Sequence, residues 1–184
     1  VVIGAGPVGQ MMLRWMAAAG AEKVIVVDTI QKRLDLAKAG GATHVICGTA
    51  DKALKEIAQL TGNQLADIVI DTTGIAPVFT DALKCVKQFG KMVLLGDTGY
   101  PEQQHLAPDL LNRGLTIVGA HDCHETEDWN SRKLVKLLFS LAERGRFNLE
   151  GLNTHEFKPA DCKQAYELLN NDRKSTMGVI FNWK

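Results

Sequence analysis

A glycine-rich turn near the start of the chain has the residue types and spacing of an anion-binding site. It runs Gly4-Ala5-Gly6-Pro7-Val8-Gly9, between a short apolar run and a stretch with helical periodicity. In that context Gly4 permits a tight turn, Gly6 lets the backbone approach a pyrophosphate, and Gly9 lets helix and strand pack closely. The amides of Gly6 to Gly9 and the positive helix end would hold the anion, and Pro7 suits a first helical turn.

An acid closes the second predicted strand. Asp28 lies 19 residues after Gly9. In the Gly-x-Gly-x-x-Gly dinucleotide-binding motif an acid at about this distance accepts hydrogen bonds from the adenosine ribose hydroxyls. Such an acid repels a 2′-phosphate and so favours NAD over NADP. The basic residues in Gln31-Lys32-Arg33 could instead receive that phosphate, but with the acid intact we expect Arg33 to flank the adenosine. Taken alone, the glycine turn could be an ordinary strand-to-helix turn, and Asp28 could be a helix cap. The turn followed by a helix, a second strand and an acid at its end predicts dinucleotide binding.

Composition narrows the class of protein. The chain has 184 residues, enough for one complete domain and part of a second. Its 21 basic and 21 acidic residues cancel, so it lacks the positive field of a general nucleic-acid binder. No apolar run is long enough to span a membrane. The four cysteines form no Cys-x-x-Cys pair, which indicates buried, reduced thiols in a cytoplasmic protein.

Short apolar strands alternate with amphipathic helices, the pattern of parallel βαβ units. We therefore predict an α/β fold with a Rossmann-like, doubly wound, six-stranded parallel sheet, its strands covered on both faces. The predicted strands are Val1–Ile3, Val24–Val27, His44–Ile46, Ile68–Ile70, Met92–Leu95 and Thr116–Val118. The helices between them are predicted near 8–19, 31–39, 52–60 and 77–86, the last one followed by Gly90 as its stop. A periodic helix around 134–142, a strand at Thr154–Phe157, a helix at 159–170 and a strand at Val179–Phe181 follow.

The order of motifs resembles the medium-chain dehydrogenase/reductase family, particularly its zinc-type alcohol, polyol and threonine dehydrogenases. The motifs that carry the resemblance are Gly4 to Gly9, Asp28 with Arg33, Lys38 to Thr43, Asp67 to Gly74, Gly90 to Gly96 and Leu115 to Gly119. His155, Phe157, Ala165, Tyr166 and Gly178 to Ile180 resemble the family's closing pattern.

The resemblance implies a role for each part of the chain. Residues 1–130 would form the NAD(P)-binding Rossmann domain, and residues 131–184 a C-terminal helix and return segment of an otherwise absent catalytic domain. The adenine would lie beside Thr72 and Thr73, the nicotinamide ribose beside Leu95, Gly96 and Asp97, and the carboxamide near Ala120 and His121. Hydride would pass between an alcohol and NAD. We expect this part of the enzyme to supply no catalytic residue and no metal ligand, zinc belonging to the absent domain, and the intact enzyme to be a homo-oligomer.

Two other functions fit the same cofactor fold. A zinc-free quinone or enal reductase would use NADPH, which Asp28 disfavours. A non-catalytic NAD-sensing module would have no need of the tail from His155 to Phe181. The cluster His121-Asp122-Cys123-His124 has the chemistry of a metal site, but so tight a local group cannot easily aim three ligands at one ion; a polar loop at the nicotinamide end is the favoured interpretation.

Overall fold

Six parallel strands form one sheet in the computed structural model, which describes all 184 residues. The strands are β1 Val2–Ile3, β2 Ile25–Asp28, β3 His44–Cys47, β4 Ala66–Asp71, β5 Val86–Leu94 and β6 Thr116–Gly119. Their order across the sheet is β3-β2-β1-β4-β5-β6. The order reverses between β1 and β4, as in a doubly wound dinucleotide-binding fold. The predicted fold class is confirmed.

Helices lie on both faces of the sheet. They are α1 Pro7–Ala18, α2 Gln31–Ala39, α3 Ala50–Leu60, α4 Ala76–Lys84, α5 Asp109–Asn112 and α6 Ser131–Glu143, with a 3₁₀ turn at Pro101–Gln103. Because neighbouring strand residues point to opposite faces, Val2 and Val26 pack with Leu13 in one core cluster. Ile3 and Val27 pack in the other, which includes residues of α3 and α4.

Helix α1 is where it was predicted, but it buries a different face. Its buried residues are Gly9, Gln10, Leu13, Arg14 and Ala18, whereas the apolar residues that recur at helical spacing predict another face, formed by Val8, Met11, Met12, Trp15 and Ala19. The reason is steric: α1 must approach β1 closely, and the small Gly9 lies at that contact. Of the predicted set, Met12 packs only partly buried against the core.

The prediction that the fourth helix continues through Val86 is wrong. Helix α4 ends at Lys84, and β5 begins two residues later. The guanidinium of Arg113 donates hydrogen bonds to the carbonyls of Leu83 and Lys84, both at 3.2 Å, and so satisfies backbone groups that a helix end leaves open. Since Arg113 is 29 residues away from Lys84, local periodicity could not reveal this helix end.

The expectation that all six strands are covered on both faces is wrong for β6. Val118 is 38% exposed, and α6 contains no buried residue. Strand β6 pairs only with β5, so it is an edge strand. The prediction of buried cysteines is also wrong: only Cys85 is buried, and Cys47, Cys123 and Cys162 are exposed, although all four are free thiols.

The chain divides into two compact units, Val1–Asn148 and Leu149–Lys184. Helix α6 thus falls in the first unit, although we grouped it with the C-terminal segment that begins at residue 131. Within the first unit, Phe147 packs edge-on against Trp15 with ring centroids 5.0 Å apart, and Arg146 donates a 2.7 Å hydrogen bond to the Ala18 carbonyl. These contacts fix the residues after α6 on α1.

The second unit pairs two parallel strands beside a helix. Strand β7 spans Asn153–Phe157, β8 spans Gly178–Phe181, and α7 spans Cys162–Asn171 after a 3₁₀ turn at Pro159–Asp161. All three elements were predicted from the sequence. Across the whole chain, no helix combines the length and apolar character that a membrane span requires.

Candidate dinucleotide-binding site

The glycine turn lies at the carboxyl end of β1, beside the point where strand order reverses. Gly4 has a φ of +91°, and a Cβ atom there would lie 2.7 Å from the Thr72 hydroxyl oxygen. A Cβ atom at Gly9 would overlap the Gly4 carbonyl oxygen. At Gly6, by contrast, the nearest atom to an added Cβ is an Arg33 nitrogen 3.8 Å away. The turn is therefore closed on its inner side and open above Gly6.

The first turn of α1 is free to receive an anion. Gly6 is the N-cap, no side chain caps the helix, and the first turn contains no acidic residue. The leading amides of an α-helix have no partner within the helix and carry its positive partial charge. The amides of Val8 and Gly9 therefore point out of the helix with no side chain competing for them.

Asp28 connects the end of β2 to the glycine turn. Its side chain is 7% exposed, and one carboxylate oxygen accepts a 2.6 Å hydrogen bond from the Ala5 amide. The other accepts a 2.8 Å bond from the Ile30 amide. Asp28 does not cap α2, because Ile30 is its N-cap residue. A carboxylate has about four acceptor positions, so two backbone bonds leave room for ribose hydroxyls.

Arg33 lies between this acid and the turn. Its Nη1 atom is 4.0 Å from the nearer Asp28 carboxylate oxygen and is the atom closest to the open space above Gly6. Helix α2 thus presents a cation at the rim of the site.

Two threonines follow β4, and the side chain of the first, Thr72, joins the end of β4 to β1. The Thr72 hydroxyl donates to the Ile3 carbonyl at 2.9 Å. The amide and hydroxyl of Thr73 both donate to one oxygen of Asp71, at 2.8 and 2.7 Å. Asp71 is 1% exposed, and burial raises the pKa of its carboxyl group, against the opposing effect of the Thr73 hydrogen bonds. Asp71, the last residue of β4, therefore fixes the orientation of Thr73.

The end of β5 approaches the same residues. The amides of Leu95 and Gly96 both donate to the Asp71 carbonyl, at 3.0 and 2.9 Å. A Cβ atom at Gly74 would overlap the Asp97 carbonyl. The residues predicted to border the adenine and the nicotinamide ribose thus come together at the carboxyl ends of the strands.

The loop after β6 lies at the same carboxyl ends of the strands. The Ala120 amide donates to the Leu94 carbonyl at 2.9 Å, which places His121 next to the end of the sheet. The His121 side chain is exposed, and its Nδ1 accepts a 3.1 Å hydrogen bond from the Cys123 amide. The rings of His121 and His124 are 6.2 Å apart. No three His, Cys, Asp or Glu side chains in the chain are placed to share a metal ion.

A cavity of about 340 Å³ opens at the opposite end of the sheet. Val1, Lys23, Asp67 and Lys87 are among the residues around it. None of the predicted site residues lines it, so it is separate from the glycine turn.

The sequence model of a family described as "Zinc-binding dehydrogenase" matches residues 7–140. The chain belongs to the zinc-binding dehydrogenase family. It is 28% identical to an L-threonine 3-dehydrogenase of Bacillus licheniformis over 97% of this chain and 49% of that protein. It is 30% identical to an uncharacterised zinc-type alcohol dehydrogenase-like protein of Escherichia coli, over 98% of this chain and 49% of that one.

Solved structures of dehydrogenases agree with this family membership. The chain resembles zinc-dependent alcohol dehydrogenase 2 from Streptococcus pneumonia with a TM-score of 0.85 and 28% identity, covering 100% of this chain and 51% of that one. It resembles benzyl alcohol dehydrogenase from Acinetobacter calcoaceticus with a TM-score of 0.82 and 25% identity, covering 98% and 49%. The chain spans about half the length of the relatives it matches.

Two polar residues of α1 support the turn in this zinc-binding dehydrogenase chain, and sequence analysis missed them. The Gln10 side-chain amide donates to the carbonyls of Ala5, at 3.0 Å, and Arg33, at 2.8 Å. Its oxygen accepts a 2.7 Å bond from Arg14. The signal was available in principle, because positions 9, 10, 13 and 14 form a helical stripe together, but two polar residues in that stripe concealed the buried face.

Proposed function

We propose that this chain is the cofactor-binding part of a zinc-type oxidoreductase that transfers hydride between an alcohol and NAD. The observation that carries the proposal is the uncapped start of α1 behind the open Gly6, bordered by the Asp28 carboxylate at the end of β2. A bound dinucleotide would supply the hydride acceptor or donor. The residues of this chain hold and orient it.

Each group in the turn has a distinct task in the proposal. The amides of Gly6, Val8 and Gly9 bind the pyrophosphate, and Pro7 sets the backbone of the first helical turn. Gly4 keeps the turn close to the Thr72 hydroxyl, which is 2.9 Å from the Ile3 carbonyl that it bonds.

The other site residues lie on either side of the pyrophosphate. Asp28 accepts hydrogen bonds from the adenosine ribose hydroxyls, and Arg33 lies beside them. Thr72 and Thr73 border the adenine. Leu95, Gly96 and Asp97 border the nicotinamide ribose, and Ala120 and His121 the carboxamide. These assignments are supported by the positions of the residues, which follow the carboxyl ends of the neighbouring strands β4, β5 and β6.

NAD is the preferred cofactor in this proposal. The buried side chain of Asp28 already holds two backbone amides, so it cannot turn away from a 2′-phosphate without breaking both bonds. Repulsion between the carboxylate and a phosphate at hydrogen-bonding distance would then weaken NADPH binding. Arg33, 4.0 Å from Asp28, would offset part of that repulsion.

The catalytic zinc and the proton relay would come from residues outside this chain. Support comes from the relatives, of which this chain spans about half. In that arrangement residues 1–130 form the cofactor domain and residues 131–184 lead back into the catalytic domain. The exposed edge of β6 offers unpaired backbone groups to a second copy, which supports a homo-oligomer.

Titration of the chain with NADH, followed by nicotinamide fluorescence and calorimetry, tests the proposed function. Gly6→Val is the decisive variant. Gly6 has ordinary extended backbone angles, φ −67° and ψ −174°, and open space beside it, so the fold should tolerate the side chain while the pyrophosphate should not. Gly119→Ala is the control, since a Cβ atom there meets nothing within 4 Å. Failure of the unmodified chain to bind NADH, or equal binding by Gly6→Val, would contradict the proposal.

A further inference from the structure

The interior of the first unit contains one buried cation. Arg14 is 1% exposed and is the only Lys or Arg among the buried residues. It lies in the middle of α1, on the face that packs into the protein. A buried arginine is unusual unless a partner compensates its charge, so the groups around it indicate what it does.

Those groups are neutral. Arg14 Nη1 donates to the carbonyl of Gln10 at 3.0 Å and to its side-chain oxygen at 2.7 Å, and Nε donates to the Asn148 carbonyl at 2.6 Å. The Nη2 atom is buried without a hydrogen-bond partner. Burial lowers the pKa of Arg14, and no acidic group acts on it in the opposite direction. Arginine nevertheless stays protonated in proteins, so its positive charge is not neutralised.

The structure leaves space for this guanidinium. A Cβ atom at Gly40, which ends α2, would lie 2.5 Å from Nη1 and 2.7 Å from Nη2. The guanidinium therefore occupies the volume that any other residue at position 40 would need, and it is held against the end of α2.

Gln10 connects Arg14 to the glycine turn. Its side-chain amide binds the carbonyls of Ala5 and Arg33, while its oxygen is held by Arg14. Side chains on a helix point towards its N-terminus, and the bonds to Gln10 show that Arg14 does so. The charge thus lies about one helical turn, or roughly 5 Å, behind the first turn of α1.

We propose that Arg14 is a positioning residue whose buried positive charge, held on Gln10, strengthens binding of the dinucleotide's pyrophosphate. This inference rests on the proposed function. The charge adds to the positive potential at the start of α1, and the protein between them screens it less than water would. Its effect falls on the charged part of the ligand and leaves adenosine binding unchanged.

Titrations with ADP-ribose and with adenosine separate this role from a structural one. Both ligands contain the group that Asp28 would bind, but only ADP-ribose carries the pyrophosphate. The variants are Arg14→Met, which removes the charge, and Arg14→Lys, measured at about pH 5, the low end of the pKa range of about 5–6 known for buried lysines, so that the lysine keeps its charge. Thermal unfolding of each variant shows whether the chain is folded under the conditions of the titration.

Arg14→Met should bind ADP-ribose at least roughly tenfold more weakly, because a unit charge about 10 Å from even one of the two phosphate charges has that effect at an effective dielectric of about 20. Its affinity for adenosine should change by less than about twofold, and Arg14→Lys should keep the wild-type ratio of the two affinities. An equal loss for both ligands in Arg14→Met, or no loss for either, would overturn the inference. If Arg14→Met does not fold, a reduced ratio in Arg14→Lys overturns it instead. Failure of the unmodified chain to bind ADP-ribose would count against the proposed function itself.

Discussion

The Asp28 carboxylate accepts a 2.6 Å hydrogen bond from the amide of Ala5, which joins the end of β2 directly to the glycine turn. The residue proposed to select the cofactor therefore also fixes the loop that would bind the pyrophosphate. A substitution at this position should change affinity, specificity and stability together.

Asp28→Asn should weaken NADH binding about tenfold and reduce the preference for NADH over NADPH. An asparagine can accept from only one of the two amides that Asp28 holds, so the free energy of unfolding should fall by about 1–3 kcal/mol. Urea unfolding and paired cofactor titrations measure both effects. Asp35→Asn is the control, because Asp35 is an exposed residue of α2 whose side chain accepts only from Gln31. Unchanged specificity in Asp28→Asn would remove the selective role of the acid.

Gly9→Ala should destabilise the fold and abolish NADH binding. Its Cβ atom would overlap the Gly4 carbonyl, which belongs to the backbone and can move only if β1 and α1 separate. Overpacking of this kind costs about 1–3 kcal/mol, measurable by urea unfolding. Gly119→Ala, where a Cβ atom has open space, should change stability by less than about 0.5 kcal/mol. Similar losses in the two variants would contradict the close contact.

Asp71→Asn should change how stability depends on pH. Burial raises the pKa of Asp71 in the folded chain, so the folded state holds its proton more tightly than the unfolded state does. The wild type should therefore lose stability as pH rises from the ordinary aspartate pKa, near 4, through the raised value. Asparagine can still accept the two bonds from Thr73, and it does not titrate. The difference in unfolding free energy between variant and wild type should shift in favour of Asp71→Asn over that interval; a difference that stays constant with pH would contradict the assignment.

Arg113→Ala should lower stability by about 2–3 kcal/mol without changing NADH affinity. Arg113 bonds the last carbonyls of α4 and forms a 2.6 Å ion pair with Asp109, and a charged group that satisfies several buried carbonyls is costly to remove. Chemical unfolding and NADH titration test the two halves of the prediction. Arg132→Ala, an exposed change in α6, is the control. A matching loss of NADH affinity in Arg113→Ala would show that α4 helps to position the site.

The parts of the fold that follow from local pattern were predictable. The alternation of strands with helices depends on residue types at fixed spacing, and the six-stranded sheet confirms it. The glycine turn and Asp28 follow from the same spacing and lie at the carboxyl ends of β1 and β2. The end of α4 was not predictable because a distant side chain, Arg113, determines it. The exposure of β6 depends on its place at the edge of the sheet, which strand composition does not record.

The support for the turn also escaped sequence analysis. Gln10 and Arg14 are polar, so a search for apolar periodicity passes over them, yet both are fully buried. In the folded chain Arg14 donates to the Gln10 side chain, and Gln10 donates to the carbonyls of Ala5 and Arg33, so most of their polar groups are satisfied without water. Helical spacing can place such residues on one face, but only tertiary structure shows that their partners are backbone groups of the binding turn.

Calorimetric titration of the unmodified chain with NADH and with NADPH, at the same ionic strength, measures whether Asp28 selects the cofactor. Asp28 is held in place by two backbone amides, so NADH should bind at least about tenfold more tightly than NADPH. Equal affinities, or tighter binding of NADPH, would contradict it.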